Sequence, residues 1–388
     1  MRIPIQEVIM RMNRTADKML IICFVFAMAA GWHIPEAYAD DWFEAESGYY
    51  TLVDESGKEL TMMAREILVN DEYISGDNKY YSVISADKGS RKAVAKYVRD
   101  VKLPEIEENI ASIAVLAQEM DKDSNILLYS THTDESYIPS DGSHTKPGKG
   151  GILDVAESFK NALQKRGINA VLDKTPHEPH DAAAYRRSRQ TAINLMKKHS
   201  PVAAIFDIHR DAVPARVYAT RVAGQPMTKV RIVVGSRNQN RQANEELAYK
   251  IKAVADKVYP GLIKDIFIGA GAYNQELSPR SLLFEFGTHE NSKESAQRSA
   301  QYLAVVIDKA MFGGTVKGKT QEGEEKGTYR PEPIEQEDVR GGRKGLLWLF
   351  LVLVAGGGIF FFISGGGREM ISKVTGTSES KDKDEKRK

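Results

Sequence analysis

Four regimes of apolar spacing follow one another along the chain. The first is an unbroken stretch, Met19 to Trp32, with Arg11, Arg14 and Lys18 before it and Ala37-Tyr38-Ala39 after it, ahead of Asp40. A basic, then apolar, then small-residue order is that of a secretory signal with an A-x-A site, which predicts cleavage after Ala39 and a signal peptide over residues 1–39. The alternative is an uncleaved anchor, although the stretch is short for the about 20 residues that a bilayer span needs. In the second regime, residues 40–115, short β-rich runs such as Tyr50-Thr51-Leu52-Val53 and Tyr80-Tyr81-Ser82-Val83-Ile84 alternate with turn residues such as Glu55-Ser56-Gly57. They predict a small β-rich domain, and Lys88 to Lys96, with Ala93, Val94 and Val98 at helical spacing, is expected to close it as one helix.

From Asn125 onward strands and helices alternate. Ile126–Tyr129, Ile168–Leu172, Val202–Phe206 and Leu282–Phe286 read as strands. Ile152–Lys165, Asp181–His199 with Asp181 as its cap, Gln242–Val258 and Lys293–Phe312 read as helices, and a hairpin is expected across Val217–Val222 and Val230–Val234. The order predicts an α/β domain over 116–313 with a mostly parallel sheet and flanking helices, whose ligands bind at the carboxyl ends of strands. The fourth regime is Gly345 to Ser364, GLLWLFLVLVAGGGIFFFIS, an uncharged run of the length a membrane-crossing helix needs. Between the two, residues 314–344 are rich in Gly, Glu, Lys and Pro and read as a flexible linker, while 365–388 read as a disordered cytoplasmic tail rich in Lys. The expectation is a single-pass cell-membrane protein whose main domain is extracytoplasmic.

Composition narrows the function. A net charge of +1 with 28% charged residues gives no global basic field, so no nucleic-acid partner is expected. The single cysteine, Cys23, lies within the signal stretch, so the mature chain has neither a disulfide nor a thiolate ligand. The chemistry-capable residues fall at strand ends instead. His132 and Glu135 follow the strand ending at Tyr129, His209 follows Val202–Phe206 between Asp207 and Asp211, and Glu285 lies near the end of an apolar strand. Two histidines and one carboxylate around an open position make a catalytic zinc site, in which the metal polarises a scissile carbonyl and makes water nucleophilic. Glu285 is the candidate to take the proton of that water and pass it to the leaving amine. Plainer roles stay open: a salt-bridge cluster for Asp207-Ile208-His209-Arg210-Asp211, and an ion pair with Arg280 or Arg210 for Glu285. The other histidines are not assigned, although His177 and His180 lie close enough to matter.

Five stretches also carry a resemblance. Leu127 to Tyr137 (LLYSTHTDESY), Tyr185-Arg186-Arg187-Ser188-Arg189, Asp207 to Asp211 (DIHRD), Tyr273-Asn274-Gln275-Glu276-Leu277 and Leu283-Phe284-Glu285-Phe286-Gly287, in that order and spacing, resemble the stage II sporulation protein P family. The resemblance covers about Ser124 to Phe312. It implies a zinc-dependent N-acetylmuramoyl-L-alanine amidase of the phosphorylase/hydrolase-like fold, acting on peptidoglycan during engulfment in endospore formers, beside the stage II sporulation proteins D and M. It implies His132, Glu135 and His209 as zinc ligands, Glu285 as base, Arg210 as a holder of the oxyanion or of a substrate carboxylate, and Asn274 and Gln275 as groove residues. Family members commonly carry a second histidine two positions before the first ligand, where this chain has Ser130. The C-terminal anchor also departs from the family's N-terminal one. Two other classes stay open: a peptidoglycan endopeptidase or carboxypeptidase, and a non-catalytic wall-binding activator.

Overall fold

The computed structural model of the protein describes residues 48–106, 123–181 and 183–313. The expected signal peptide, linker, membrane helix and tail lie outside them. Among the described residues no helix is long and apolar enough to cross a membrane. The first segment forms β1 (Tyr50–Asp54), β2 (Glu59–Met63), β3 (Glu72–Ile74), β4 (Lys79–Asp87) and β5 (Lys92–Asp100). The helix expected over Lys88 to Lys96 is therefore a turn over 88–91 followed by the start of β5. Ala93 and Ala95 both point inward at period two while Val98 is exposed, and β5 is held between β4 and β1, so pairing on both edges overrides helical spacing.

The alternating segment supplies β6 (Asn125–Tyr129), β7 (Ala170–Leu172), β8 (Val202–Asp211), β9 (Ala219–Val222), β10 (Gln225–Thr228), β11 (Val230–Gly235), β12 (Ile263–Gly269) and β13 (Ser281–Thr288). Its helices are α1 (Ile138–Asp141), α2 (Ile152–Gln164), α3 (Ala184–Lys198), α4 (Arg241–Val258) and α5 (Lys293–Phe312). Asp181 accepts a bond from the Ala183 amide one turn before α3 rather than capping the helix itself. The hairpin is β9 with β10, and the run at Val230 is a central strand.

Eleven strands form one sheet in the order β2-β1-β5-β4-β3-β12-β11-β13-β8-β6-β7. It is mixed rather than mostly parallel: β7, β6, β8 and β13 run parallel, but β13 meets β11 antiparallel and β12 meets β3 antiparallel. That last pairing brings the strands of the β-rich segment into the same sheet as those of the α/β segment. Tyr73 sits opposite Phe267, and Tyr50, Leu52, Met63 and Tyr73 share one apolar cluster with Val233, Phe267 and Leu283. The β-rich strands cover an edge that β12 would otherwise leave open.

Side-chain alternation sorts the two faces of the sheet. Ile126, Leu128, Phe206, Ile208, Ile232, Phe284 and Phe286 pack on one face against α2, α4 and α5. Leu127, Tyr129 and Ile205 pack on the other against Ala192 and Leu195 of α3. The odd-numbered residues of β8, β11 and β13 belong to this second face, and the polar site is built there.

Candidate metal centre and active site

The turn after β6 begins the site. Every residue from Ser130 to Tyr137 is buried, which for Thr131, His132, Asp134 and Glu135 requires partners. Asp207 of β8 provides two of them, accepting the Thr131 amide at 2.8 Å and the Thr131 hydroxyl at 2.6 Å. The start of α2 clamps the other side, where the amides of Gly150 and Ile152 donate to the carbonyls of Thr133 and Glu135. Gly150 has no alternative here, since a Cβ would lie 2.3 Å from the Glu135 carbonyl oxygen. His177, buried, bolts the same turn to α3: its Nδ1 is 2.8 Å from the Ser130 carbonyl and its Nε2 2.8 Å from the Thr191 hydroxyl.

These constraints bring His132, Glu135 and His209 together, with one donor atom from each lying within 4.8 Å of the others. Glu135 Oε1 is 3.4 Å from His132 Nδ1 and 3.3 Å from His209 Nδ1. Those separations match the edge of a tetrahedron with metal–ligand bonds of about 2.1 Å, so the donor set and its spacing fit zinc. The other carboxylate oxygen, Oε2, accepts the Arg210 amide at 2.8 Å, which turns Oε1 toward the histidines. Asp207 Oδ1 lies 2.9 Å from His209 Nε2, the outer carboxylate that fixes a ligand histidine's tautomer and ring plane. Burial pushes Glu135 up, but the charge of His209 and the hydrogen bonds from His132 and His209 outweigh it and hold the carboxyl well below its usual range. Burial pulls His209 down, and Asp207 and Glu135 together raise it well above an ordinary histidine. A pocket with this bias holds positive charge.

His180 stacks on His132, ring centroids 3.9 Å apart, and its Nδ1 is 2.9 Å from Asp134 Oδ1. The Tyr185 ring, at the start of α3, meets His132 edge-on at 5.7 Å and lies nearly parallel to His209 at 6.5 Å.

Beside this cluster runs a row set by strand register. His209 of β8 sits opposite Glu285 of β13, Glu285 opposite Arg231 of β11, and Arg231 opposite Asp265 of β12. Register partners share a face, so four polar side chains line up across four strands. Arg231 is 1% exposed and reaches Asp265 at 2.7 Å, Asp211 at 3.1 Å and Glu285 at 3.4 Å. Its Nη2 also donates to the hydroxyl of Thr61 and the carbonyl of Met62, from β2. The Tyr218 hydroxyl lies 2.5 Å from Glu285 Oε2 and 3.0 Å from Asp211 Oδ2. Burial first, then the nearby Asp211 charge, push Glu285 up to about 7, against the pull of Arg231 and the Tyr218 hydrogen bond. A carboxyl poised there can both take and return a proton near neutral pH.

Not every residue expected at the site reaches it. Arg210 faces away from His209 by strand alternation, and its guanidinium donates to the carbonyls of Ser136 and His144, so its side chain braces the ligand turn rather than holding an oxyanion. Gln275 is fully buried between the Gly235 amide and the Val233 carbonyl, and Asn274 donates to Tyr185 and Ser188; neither lines a groove. Glu285 pairs with neither Arg280, which donates to the Ala203 carbonyl, nor Arg210. The residues that sequence reasoning missed are Arg231, Asp265 and Tyr218. A signal for the first existed, because an arginine inside Val230-Arg231-Ile232-Val233-Val234 is a charge in an apolar strand and must have partners.

Residues 44–308 match the family model described as stage II sporulation protein P. A curated relative, the stage II sporulation protein P of Bacillus subtilis (strain 168), is 28% identical over 295 residues, 70% of this chain and 72% of the relative. Among solved structures, similarity extends to the CwlD amidase of Clostridioides difficile in complex with the GerS lipoprotein, at TM-score 0.33 and 11% identity over 48% of this chain and 98% of that one. It extends also to the catalytic domain of CwlV, an N-acetylmuramoyl-L-alanine amidase of Bacillus (Paenibacillus) polymyxa, at TM-score 0.32 and 16% identity over 48% and 96%.

Proposed function

The chain belongs to the stage II sporulation protein P family, and from that premise we propose that it is a zinc-dependent peptidoglycan hydrolase that cuts the amide between N-acetylmuramic acid and L-alanine. The observation that carries the reading is the His132, Glu135 and His209 cluster, with metal-ligand spacing, set one strand from a carboxyl raised to about 7.

A zinc ion held by His132, Glu135 and His209 supplies a Lewis acid for the scissile carbonyl and makes water more acidic. The protein's own groups do the rest. Glu285 takes a proton from the attacking water and returns it to the amide nitrogen as the C–N bond breaks. Tyr218 and Arg231 both hold its Oε2, which assigns the transfer to Oε1. Asp207 keeps His209 oriented through the cycle.

Sporulation-linked wall remodelling follows from the family. Export by residues 1–39, an extracytoplasmic catalytic domain, anchoring by 345–364 and work beside the stage II sporulation proteins D and M belong to the same proposal, on the strength of the residue patterns and the resemblance. The test is digestion of purified peptidoglycan by the purified protein, with and without a chelator, with mass analysis of the products. Chelator-sensitive release of intact stem peptides is expected. Shortened peptides would instead identify an endopeptidase, and no products at any zinc concentration would refute the hydrolase reading.

A further inference from the structure

Resting on the zinc reading, we infer that Asn274, Ser188 and Thr131 are positioning residues of the metal centre, a buried one-way chain of hydrogen bonds that fixes Asp207 against the ligand His209. With Asp207, the chain takes one residue from each of four of the five stretches that carry the family resemblance.

Asp207 stands at one end of the chain. Its Oδ1 accepts the Thr131 amide and lies 2.9 Å from His209 Nε2, while its Oδ2 accepts the Thr131 hydroxyl at 2.6 Å. The Thr131 hydroxyl oxygen is in turn 2.8 Å from Ser188 Oγ, on α3. At the other end is Asn274, in the connection between β12 and β13. Its Nδ2 donates to Ser188 Oγ at 3.0 Å and to the Tyr185 carbonyl at 3.1 Å. Thr131, Ser188, Asp207 and Asn274 are each no more than 2% exposed, so the chain is shut off from bulk water.

The two ends set the direction. An amide NH2 can only donate, a carboxylate oxygen accepts, and each hydroxyl between them has a single hydrogen. Thr131 gives its hydrogen to Asp207, so Ser188 must give its own to Thr131 and can receive only from Asn274. Ser188 Oγ is also 3.1 Å from the Tyr185 carbonyl, but a hydrogen sent there would leave two hydroxyl oxygens 2.8 Å apart with nothing between them. Bonds aligned in one sense polarise each other in a buried setting. With Oδ2 held by Thr131, Asp207 cannot turn, and Oδ1 stays on His209 Nε2. That leaves His209 Nδ1, 3.3 Å from Glu135 Oε1, for the metal. The far end is clamped on both sides. Tyr273 and Asn274 have φ of 52° and 56°, a left-handed pair, and Gln275 ties the same turn to β11 through the Gly235 amide and the Val233 carbonyl.

The experiment measures the zinc affinity of full-length protein by competition with a chromogenic chelator. Thr131→Val keeps the shape and removes the hydroxyl, and it should bind zinc about 10-fold more weakly, whereas Thr131→Ser, which keeps the hydroxyl, should stay within about twofold of the wild type. Asn274→Asp puts an acceptor where the chain needs its donor and should also weaken binding about 10-fold. Because the links act in series, the same change should alter affinity by less than about twofold once Thr131 is Val. Ser188→Ala, which suits α3 and so spares the fold, should weaken binding by about 3- to 10-fold. Wild-type affinity in Ser188→Ala, Thr131→Val binding as tightly as Thr131→Ser, or an equal loss from Asn274→Asp on both backgrounds would each overturn the assignment. Ser188→Ala decides the matter even if the other variants fold poorly. A wild type that binds no zinc would instead overturn the metal reading, and this inference with it.

Discussion

Tyr218→Phe isolates the tuning of the proposed base. The substitution removes one oxygen, the hydroxyl 2.5 Å from Glu285 Oε2 and 3.0 Å from Asp211 Oδ2, and leaves the ring in its buried place against Arg231. A hydrogen bond to a charged group contributes about 1.5–3 kcal/mol, which at about 1.4 kcal/mol per pKa unit raises the Glu285 pKa by about 1–2 units. Zinc bound at the proposed site would draw Glu285 below about 7 in both proteins, so the prediction concerns the displacement rather than the absolute position. The acidic limb of the kcat/KM profile on a soluble muropeptide should move to higher pH by that amount. Below the limb the variant should be about 10- to 100-fold slower, and at high pH it should approach the wild type. Zinc content should not change, because Tyr218 touches none of His132, Glu135 and His209. An acidic limb that stays in place, or one that moves to lower pH, would refute the reasoning and with it the role of Glu285 as base.

Two further outcomes follow from the same geometry. Asp207→Asn should weaken zinc binding by about 10- to 100-fold, measured by competition with a chromogenic chelator, because it removes the carboxylate that orients His209; affinity equal to wild type would remove that role. Glu285→Gln should melt higher than the wild type in metal-free protein at pH 8, with the gap closing toward pH 5. A carboxyl raised in the fold contributes stability that is fully present below its ordinary 4.5 and lost as pH rises through about 7, and glutamine has no charge to develop. A constant difference between the two pH values would contradict the raised carboxyl.

What could be seen in the sequence depended on how local the cause was. The grouping of His132, Glu135 and His209 was legible because residues of metal-binding type stood just past or within recognisable strands, and Lys293–Phe312 was legible as a helix because its apolar positions, its Ser292 cap and its terminal Gly313 all lie within one stretch. Glu285 was legible as an acid in an apolar strand, but its tuning was not, since Tyr218, Arg231 and Asp211 come from separate elements. Lys88 to Lys96 was misread as a helix for the same reason: Ala93 and Ala95 make sense as inward strand positions only once β4 and β1 lie on either side. The antiparallel joint of Glu72–Ile74 to Ile266–Ile268 spans nearly two hundred residues, and no window on the chain reports it.

The position of β13 in the sheet has a consequence for timing. Although it is the last strand of the described chain, it lies between β11 and β8, joining the half of the sheet that begins at β2 to the half that ends at β7. Glu285 is carried on that joining strand, His209 on one neighbour and Arg231 on the other. A chain emerging from its N-terminus therefore holds all three proposed metal ligands well before it holds the proposed proton acceptor, and completes its polar row only when residues 281–288 slot into the gap. Closing a sheet at its centre across such sequence distances is slow, so an unfinished molecule is an inert one. For the wall hydrolase proposed above, that arrangement ties the onset of cutting to the end of folding.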